Sequence, residues 1–440
     1  MQDLRTNNPT VVIAAPIFSR SGYGDHARSI CKTLIQSEKY DVKIVPIPWG
    51  GTPDTGLNRE NPEHSMFYDR IIPGQIDANN KPDIFIHLSI PIDFQPAGKF
   101  NIGITAGIEC TKMRPEWIDG CNKMDLIITT SRFSAEVFKI NKFEKRNKQT
   151  NQVEGLLELL RPIEVLFEGF DPTIFDKSKP LHRSITDVMK DLPSFNFLFC
   201  GHWLQGNLGH DRKDVSMLIK VFLDTFKRKS EKNRPGLILK TGLAGFSITE
   251  REIIRDKIEQ IEELIRSEGW KKDLPPIYIL NGELSDEEMN SLYNHPKVKA
   301  MVSFTHGEGF GRPLLEFTTT GKPVIASEWS GQIDFLHPEY SFLLPGQLID
   351  VDRSARNEWI IDGQWFQVNY NNAANILLSC HANYDLFLEK SRKHRKLTFD
   401  NFTESKMQDG LITILEKHTR PKEEGPIIRK LTLPKLTKVT

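Results

Sequence analysis

The sequence contains little cysteine, and its cysteines are not spaced as in metal sites or disulfide frameworks. The five are scattered along the chain at Cys31, Cys110, Cys121, Cys200 and Cys380, and none forms a Cys-x-x-Cys pair. An odd number of isolated cysteines predicts neither a disulfide framework nor a zinc knuckle. We therefore expect reduced, partly buried thiols in a cytoplasmic protein.

The chain also lacks an excess of charge of either sign and any long hydrophobic run. Lys and Arg together number 58, as do Asp and Glu, so no global basic field indicates nucleic acid and no acidic excess indicates disorder. The first apolar run, residues 11–18, is too short to span a bilayer. The residues before it predict no secretory signal, and we expect no transmembrane segment.

What the chain does contain is an alternation of short apolar runs with helical patterns over 440 residues, a length that suits two domains. The first run, at residues 11–15, is followed by a glycine-containing loop and a helix. This alternation predicts an α/β fold with a parallel sheet covered on both faces. We assign residues 1–170 to the first domain, with the polar stretch 141–155 as a surface insertion.

The same pattern restarts with a strand at residues 197–200. A capping box at Ser285 to Glu288 opens one of the later helices. We predict a linker over residues 171–193, where there is little periodicity, and a second domain over residues 194–395. The tail from residue 420 to 440 is basic and contains prolines, so we expect it to be poorly ordered.

The most informative segment is residues 307–316, which read Gly-Glu-Gly-Phe-Gly-Arg-Pro-Leu-Leu-Glu between a strand and a helix. Pro313 suits the first helical position, and a helix that begins after glycines offers free N–H groups to an anion such as a diphosphate. Glu316 is placed to accept two ribose hydroxyls, and Glu308 to hold sugar hydroxyls. Alternatively, Glu316 only complements the helix dipole and Glu308 is a solvated charge; the combined pattern favours a site.

A second segment supports an anion site. Arg212 and Lys213 lie just before a predicted helix, where they could neutralise a pyrophosphate and stabilise it as it leaves. The alternative is an ordinary charged helix start. Cations there oppose the helix dipole, and this mismatch indicates an anionic ligand.

Together these segments resemble the paired-glutamate motif and phosphate-binding residues of glycosyltransferase family 4, retaining enzymes of the GT-B fold. Residues 168–175 are similar to the stretch that precedes the second domain in this family. Residues 321–326 are similar to the strand after its paired glutamates. The resemblance covers most of the chain and is strongest over residues 160–345.

The resemblance implies two Rossmann-like domains facing a cleft, with a helix at residues 396–419 returning to the first domain. It implies a retaining hexosyl- or pentosyltransferase that moves a sugar from a nucleotide diphosphate donor to a hydroxyl acceptor, without metal or cofactor. The implied catalytic residues are Glu308, Lys213, Arg212 and Glu109. The implied substrate-binding residues are Gly22, Gly24, Gly201, Gly309, Phe310, Gly311 and Glu316.

Two positions depart from the family pattern. His202 follows Gly201 where the family often has Arg, and Arg212 is the candidate substitute. Glu109 stands where many members have a His, so its role is carried over as a candidate only. A Glu there, followed by Pro115-Glu116-Trp117, is similar to a sub-branch that includes enzymes of tailed phages, which would place the protein in host cytoplasm.

Several alternatives stay open. A sugar-nucleotide epimerase of the same fold and a non-catalytic binding module are the rival functions. Asp350 and Asp352 form an Asp-x-Asp triplet that could bind a metal, although such a triplet arises easily by chance. Gly22 and Gly24 form an imperfect dinucleotide fingerprint, but no acidic residue ends the second strand, as a dehydrogenase requires.

The acceptor is left open between a glycan, a protein and a hydroxylated base in phage DNA, with nucleic acid not favoured. A basic stretch in the first domain either is solvated surface or guides an anionic acceptor. It consists of Lys142, Lys145, Arg146 and Lys148. The tail adds Arg429, Lys430, Lys435 and Lys438.

Overall fold

The computed structural model describes residues 8–73, 80–147, 149–243 and 248–419. Two parallel sheets of six strands each form the framework of this part of the chain. The predicted α/β architecture with two Rossmann-like halves is therefore confirmed.

The first half is built around a sheet with strand order β2-β1-β3-β4-β5-β8. The strands of this half, of which β6 and β7 lie outside the six-stranded sheet, are β1 (Thr10–Ala15), β2 (Asp41–Pro46), β3 (Ile84–Leu88), β4 (Phe100–Thr105), β5 (Leu126–Thr129), β6 (Phe143–Arg146), β7 (Val153–Leu157) and β8 (Ile163–Val165). Its helices are α1 (Gly22–Gln36), α2 (Ser65–Tyr68), α3 (Pro115–Asn122) and α4 (Arg132–Ile140). Every residue of β3 is buried, as expected of an inner strand covered on both faces.

The second half has the order β11-β10-β9-β12-β13-β14. Its strands are β9 (Asn196–Cys200), β10 (Gly236–Lys240), β11 (Ile277–Leu280), β12 (Val298–Ser303), β13 (Val324–Ser327), β14 (Phe342–Leu344), β15 (Gly346–Asp350) and β16 (Gln364–Val368). The helices from residue 183 onward are α5 (Arg183–Val188), α6 (Val215–Phe226), α7 (Ile248–Ser267), α8 (Asp286–Asn294), α9 (Arg312–Thr318), α10 (Tyr370–Ala382), α11 (Tyr384–Asn401) and α12 (Glu404–Thr419). The predicted capping box at Ser285 and Glu288 is present at the start of α8.

The stretch at residues 171–193, predicted as a linker, packs against the second sheet. It contains α5 and buries Phe175, Ile185 and Met189 in the apolar core beside the second sheet. The linker and domain boundaries stay predictions, and in the structure this stretch packs against the second half. No long periodic pattern marks it in the sequence, because α5 has only six residues and only one of them, Ile185, is buried.

Helix α12 packs in the core of the first half. Met407, Leu411 and Leu415 are fully buried there, in the same cluster as strands β1 and β3. Lys32 on α1 forms an ion pair with Glu404 at 2.7 Å. The last described helix, α12, therefore lies on the first half, where the chain also begins.

The polar stretch at residues 141–155 forms a hairpin of the antiparallel strands β6 and β7. Most of its side chains are exposed, as a surface insertion should be. Within the described residues, no helix combines the length and apolarity needed to cross a bilayer.

Candidate active site

A cavity of about 440 Å³ lies between the two halves, where strands from both sheets end. Cys200 and Ser303, the last residues of β9 and β12, line it, as does Ala106, the first residue after β4. Open α/β sheets bind ligands at such carboxyl ends. A larger cavity of about 1080 Å³ between α1 and α8 shares Arg312 with it but is lined by none of the four predicted catalytic residues.

Most of the predicted site residues meet in the smaller cavity. Those that line it are Gly22, Glu109, Gly201, Arg212, Lys213, Glu308, Gly309, Phe310 and Gly311. Gly24 and Glu316 do not. Residues more than 280 positions apart in sequence are therefore brought to one place by the fold, but their roles there stay predictions.

The glycine loop that leads into α9 is held against both halves. Gly311 is the N-cap of α9 with φ of 97°, a left-handed conformation that favours glycine. A Cβ at Gly309 would lie 2.8 Å from the carbonyl oxygen of Ala106, so only glycine lets the loop approach the first half this closely. The backbone N–H of Glu308 donates to Ser330 Oγ at 2.9 Å, which fixes the start of the loop.

Lys213 and Glu308 form an ion pair within the second half, and their side chains are only 11% and 12% exposed. Burial lowers the pKa of Lys213, and the carboxylate of Glu308 opposes this shift. The pair places Lys213 at the cavity wall, where an anionic ligand can compete with Glu308 for it.

Arg212 makes the corresponding pair across the cavity. Its Nη1 donates to Oε1 of Glu109, on the loop after β4, at 2.9 Å. Both predicted cations therefore contact carboxylates that also line the cavity, one from each half.

A buried network positions the basic pair. The carboxylate of Asp211 accepts bonds from the backbone N–H groups of Val215 and Ser216, at 2.8 and 3.2 Å, and so caps α6. Asp214, with φ of 50°, accepts a 2.8 Å bond from the hydroxyl of Tyr370. Sequence reasoning missed both aspartates, although an Asp just before an apolar helical run is a recognisable capping signal.

Glu316 is buried behind the cavity wall. It accepts bonds from Arg312 Nε at 2.8 Å and from the Tyr293 hydroxyl at 3.2 Å. Burial raises its pKa to about 7, against the opposing effect of Arg312. A ribose would have to displace the Arg312 contact to reach this carboxylate, so its predicted role stays a prediction.

Gly24 has a local structural role in this structure. A Cβ there would collide with the carbonyl group of Ser19, whereas Gly22 faces open space. The N–H of Gly24 donates to the side chain of Ser21, the N-cap of α1, at 3.2 Å. Gly24 therefore shapes the turn that presents Gly22 and Tyr23 to the cavity.

Three further cavity residues were not assigned roles from the sequence. Glu168 lies after β8, and burial raises the pKa of its carboxyl to about 7. Tyr23 and Trp49 stack with ring centroids 4.2 Å apart and an interplanar angle of 27°. For Tyr23 and Trp49 the available signal was an aromatic residue soon after each of two neighbouring strands, β1 and β2, since the carboxyl ends of those strands meet at one edge of the sheet.

The Asp-x-Asp triplet is not at the cavity. Asp352 accepts two bonds from Ser354, at 2.8 Å from its N–H and 2.6 Å from its hydroxyl, and Asp350 accepts from Gln364 at 3.0 Å. In the described part of the chain, no group of three or more His, Cys, Asp and Glu side chains is placed to hold a metal.

The predicted basic stretch lies on the exposed hairpin, and two of its four residues have acidic partners. Lys142 pairs with Glu158 at 2.6 Å and Arg146 with Glu144 at 2.5 Å. Neither basic residue lines the 440 Å³ cavity. Lys148 and the four basic residues of the tail lie outside the described residues.

Comparisons with known proteins identify the fold. No family model matches the sequence, and no curated protein matches it. A glycosyltransferase from Rickettsia africae is similar in structure, with a TM-score of 0.60 and 13% identity over 94% of this chain and 99% of that one. Anabaena HepE, solved with UDP and glucose, has a TM-score of 0.57 and 12% identity over 93% of this chain and 100% of that one. Sucrose-phosphate synthase from Thermosynechococcus elongatus has a TM-score of 0.59 and 12% identity over 93% of this chain and 98% of that one.

At such low identity the similarity shows the fold alone. The predicted GT-B fold, two Rossmann-like domains facing a cleft, is thereby confirmed. The resemblance to family 4 has no counterpart among the sequence families, and the phage-encoded sub-branch stays a prediction.

Proposed function

We propose that the protein is a glycosyltransferase that uses a nucleotide diphosphate sugar. The observation that carries this proposal is the meeting of Arg212, Lys213 and Glu308 with the glycine loop in one cavity between the halves. Two cations, a carboxylate and close backbone form a suitable site for a diphosphate joined to a sugar. The UDP and glucose bound by the similar Anabaena protein support this class of donor.

In the proposed reaction, the diphosphate takes the place of Glu109 and Glu308 as partner of the two cations. Arg212 and Lys213 then stabilise the negative charge that grows on the leaving diphosphate as the bond from the sugar carbon to phosphate oxygen breaks. The released Glu308 holds sugar hydroxyls. The two ion pairs keep the cationic site organised before the donor arrives.

We further propose that transfer retains the anomeric configuration. The acceptor oxygen bonds to the sugar carbon on the face that the diphosphate leaves, and the leaving phosphate oxygen takes the acceptor proton. No protein nucleophile is then needed, and the two cations do the work that a divalent metal would otherwise do. The cytoplasmic location and the phage origin remain sequence-based proposals.

The decisive test is a screen of nucleotide sugars by thermal stabilisation, followed by assays of hydrolysis and transfer. A donor at about 100 times its Kd stabilises the fold by about 2.7 kcal/mol. UDP-glucose is the first compound to test. We expect one donor to stabilise the protein and to release nucleoside diphosphate. Binding without turnover would indicate a non-catalytic module, and rearrangement of the sugar without diphosphate release would indicate an epimerase.

A further inference from the structure

The wall that the first half contributes to the cavity carries an aromatic platform. Trp49, half-buried after β2, stacks on Tyr23 at the start of α1, and both line the cavity. The Tyr23 hydroxyl lies 3.0 Å from Thr105 Oγ1 and accepts a 3.1 Å bond from the N–H of Ala106. Tyr23 is thus fixed to the end of β4 and holds the indole of Trp49 in place.

Hydroxyl groups continue this platform. Ser19 Oγ lies 2.8 Å from Ser21 Oγ and 2.7 Å from Thr52 Oγ1, and Thr52 donates to the carbonyl of Trp49 at 2.7 Å. Ser21 and Thr52 line the cavity. The loop after β2 is therefore tied to the loop after β1, and the wall combines an apolar ring with polar groups beside it.

Among its described residues, this wall carries no positive charge of its own. Among the described residues of the first half that line the cavity there is no Lys or Arg, whereas Glu109 and Glu168 are both present. His26 also lines the cavity, but burial lowers its pKa to about 3, so it is neutral. Three cations of the second half line the cavity, namely Arg212, Lys213 and Arg312, and the proposed donor takes the first two.

We propose that this wall is the acceptor subsite and that it takes an uncharged, polyhydroxylated ring, that is, a neutral saccharide. The C–H face of the ring lies on Trp49, since an aromatic face attracts weakly positive C–H groups. The hydroxyls of the ring bond to Glu168, Ser21 and Thr52. An anionic acceptor is disfavoured because it would meet the carboxylate of Glu109, which loses Arg212 as its partner when the donor binds.

This inference rests on the proposed function and selects between its acceptors. It favours a neutral glycan over DNA or an acidic glycan. It also leaves the basic hairpin around Lys142 and Arg146 without an acceptor role, since those side chains are outside the cavity and paired with acids.

The test uses the full chain, UDP-glucose or the donor found by the thermal screen, and matched acceptor pairs. Methyl glucoside, galactoside and mannoside are each compared with their 6-phosphates, and a duplex containing 5-hydroxymethyl pyrimidines is added as a third arm. Transfer and hydrolysis are measured in the same reaction. We expect kcat/KM for at least one neutral glycoside to exceed that for its phosphate by about tenfold or more.

Variants test the platform. Trp49→Ala should raise the acceptor KM about tenfold and lower the ratio of transfer to hydrolysis, while Trp49→Phe should recover most of the loss. Tyr340→Ala, which removes a surface ring stacked on His337, is the matched control and should change neither value. Saturation-transfer NMR with UDP and the same glycosides gives a readout without catalysis: signals from ring C–H protons should weaken in Trp49→Ala.

Preference for the phosphates or the duplex would overturn the inference, as would an unchanged acceptor KM in Trp49→Ala. These failures are distinct from failure of the proposed function, in which no nucleotide sugar stabilises the protein or releases its diphosphate. In that case glycoside signals that depend on Trp49 would still support a saccharide site at this wall.

Discussion

Arg212 on the second half donates a 2.9 Å bond to Glu109 on the first, directly across the cavity between them. The pair is partly exposed, with side chains 20% and 26% accessible. It therefore holds the two walls at a set distance while leaving the arginine open to a competing anion. We propose that donor binding and the relative position of the halves are coupled in part through this contact, which is one of several between them, such as the 3.1 Å pair of Arg132 with Asp334.

This coupling predicts the behaviour of Glu109→Gln. Removing the carboxylate charge frees Arg212, so nucleoside diphosphate should bind about two- to fivefold more tightly, in line with the 0.2–1 kcal/mol of a partly exposed ion pair. Isothermal titration with UDP measures the change. The control is Glu144→Gln, which removes an exposed carboxylate paired with Arg146 on the hairpin. Weaker binding by Glu109→Gln than by the parent would contradict competition.

Lys213 should matter more for turnover than for affinity. The charge that it stabilises grows as the bond to the leaving diphosphate breaks, so Lys213→Ala should reduce kcat by about 10²–10³-fold, as for a lost oxyanion donor. Steady-state assays at saturating donor measure this. Lys232→Ala, an exposed lysine, serves as the control. Near-normal turnover in a folded Lys213→Ala variant would remove the assigned role.

The sequence could predict this basic pair and the glycine loop because each is a local pattern beside a helix start. It could not predict that Glu109 and Glu308 pair with the two cations. Glu109 lies 103 residues from Arg212 and Glu308 lies 95 residues from Lys213. The two sheets followed from alternation of apolar runs. The packing of residues 171–193 did not, because Phe175 lies outside any helix or strand and α5, which carries Ile185, has only six residues.

For Glu316, too, the sequence predicts a contact with substrate but not the part that the side chain plays in the stability of the fold. The sequence predicts a ribose ligand, and loss of its side chain would then weaken nucleotide binding. In the structure its carboxylate is the 2.8 Å partner of buried Arg312. We therefore expect Glu316→Ala to lower the free energy of unfolding as well, by roughly 3 kcal/mol, because it leaves a buried charge without this partner.

Urea denaturation of Glu316→Ala measures this loss, and titration with UDP measures the effect on binding. Glu308→Ala is the comparison, since it alters an ion pair at the cavity wall rather than behind it. Glu308→Ala should reduce turnover more than Glu316→Ala does. Unchanged stability in Glu316→Ala would show that Arg312 finds another partner, for which Asp25 at 4.0 Å is the candidate.

Glu168 gives a pH dependence of stability. Its pKa is raised from 4.5 to about 7 by burial, so the fold favours the neutral carboxyl. The stability that this group contributes is fully present below about pH 4.5 and is lost as pH rises through about 7. Glu168→Gln removes that loss. Relative to the parent, the variant should therefore gain up to roughly 3 kcal/mol between about pH 5 and about pH 8.

Urea midpoints of parent and Glu168→Gln at those two pH values measure the effect. Glu316 titrates over a similar range, so both proteins retain some pH dependence and only their difference reports on Glu168. Glu136→Gln, on the exposed face of α4, is the control and should show no such difference. An equal offset between parent and Glu168→Gln at both pH values would mean that Glu168 is ionised normally in the fold.

Chelation should leave catalysis intact. Arg212 and Lys213 place two positive charges where a diphosphate leaving group would carry its charge, and this can replace the electrostatic role of a divalent ion. Initial rates are compared before and after dialysis against EDTA, and again after Mg²⁺ or Mn²⁺ is restored. Loss of activity that returns with either metal would contradict the prediction. Asp352→Asn would then test the Asp-x-Asp triplet: its carboxylate is engaged by Ser354, so a metal role would require those two bonds to break.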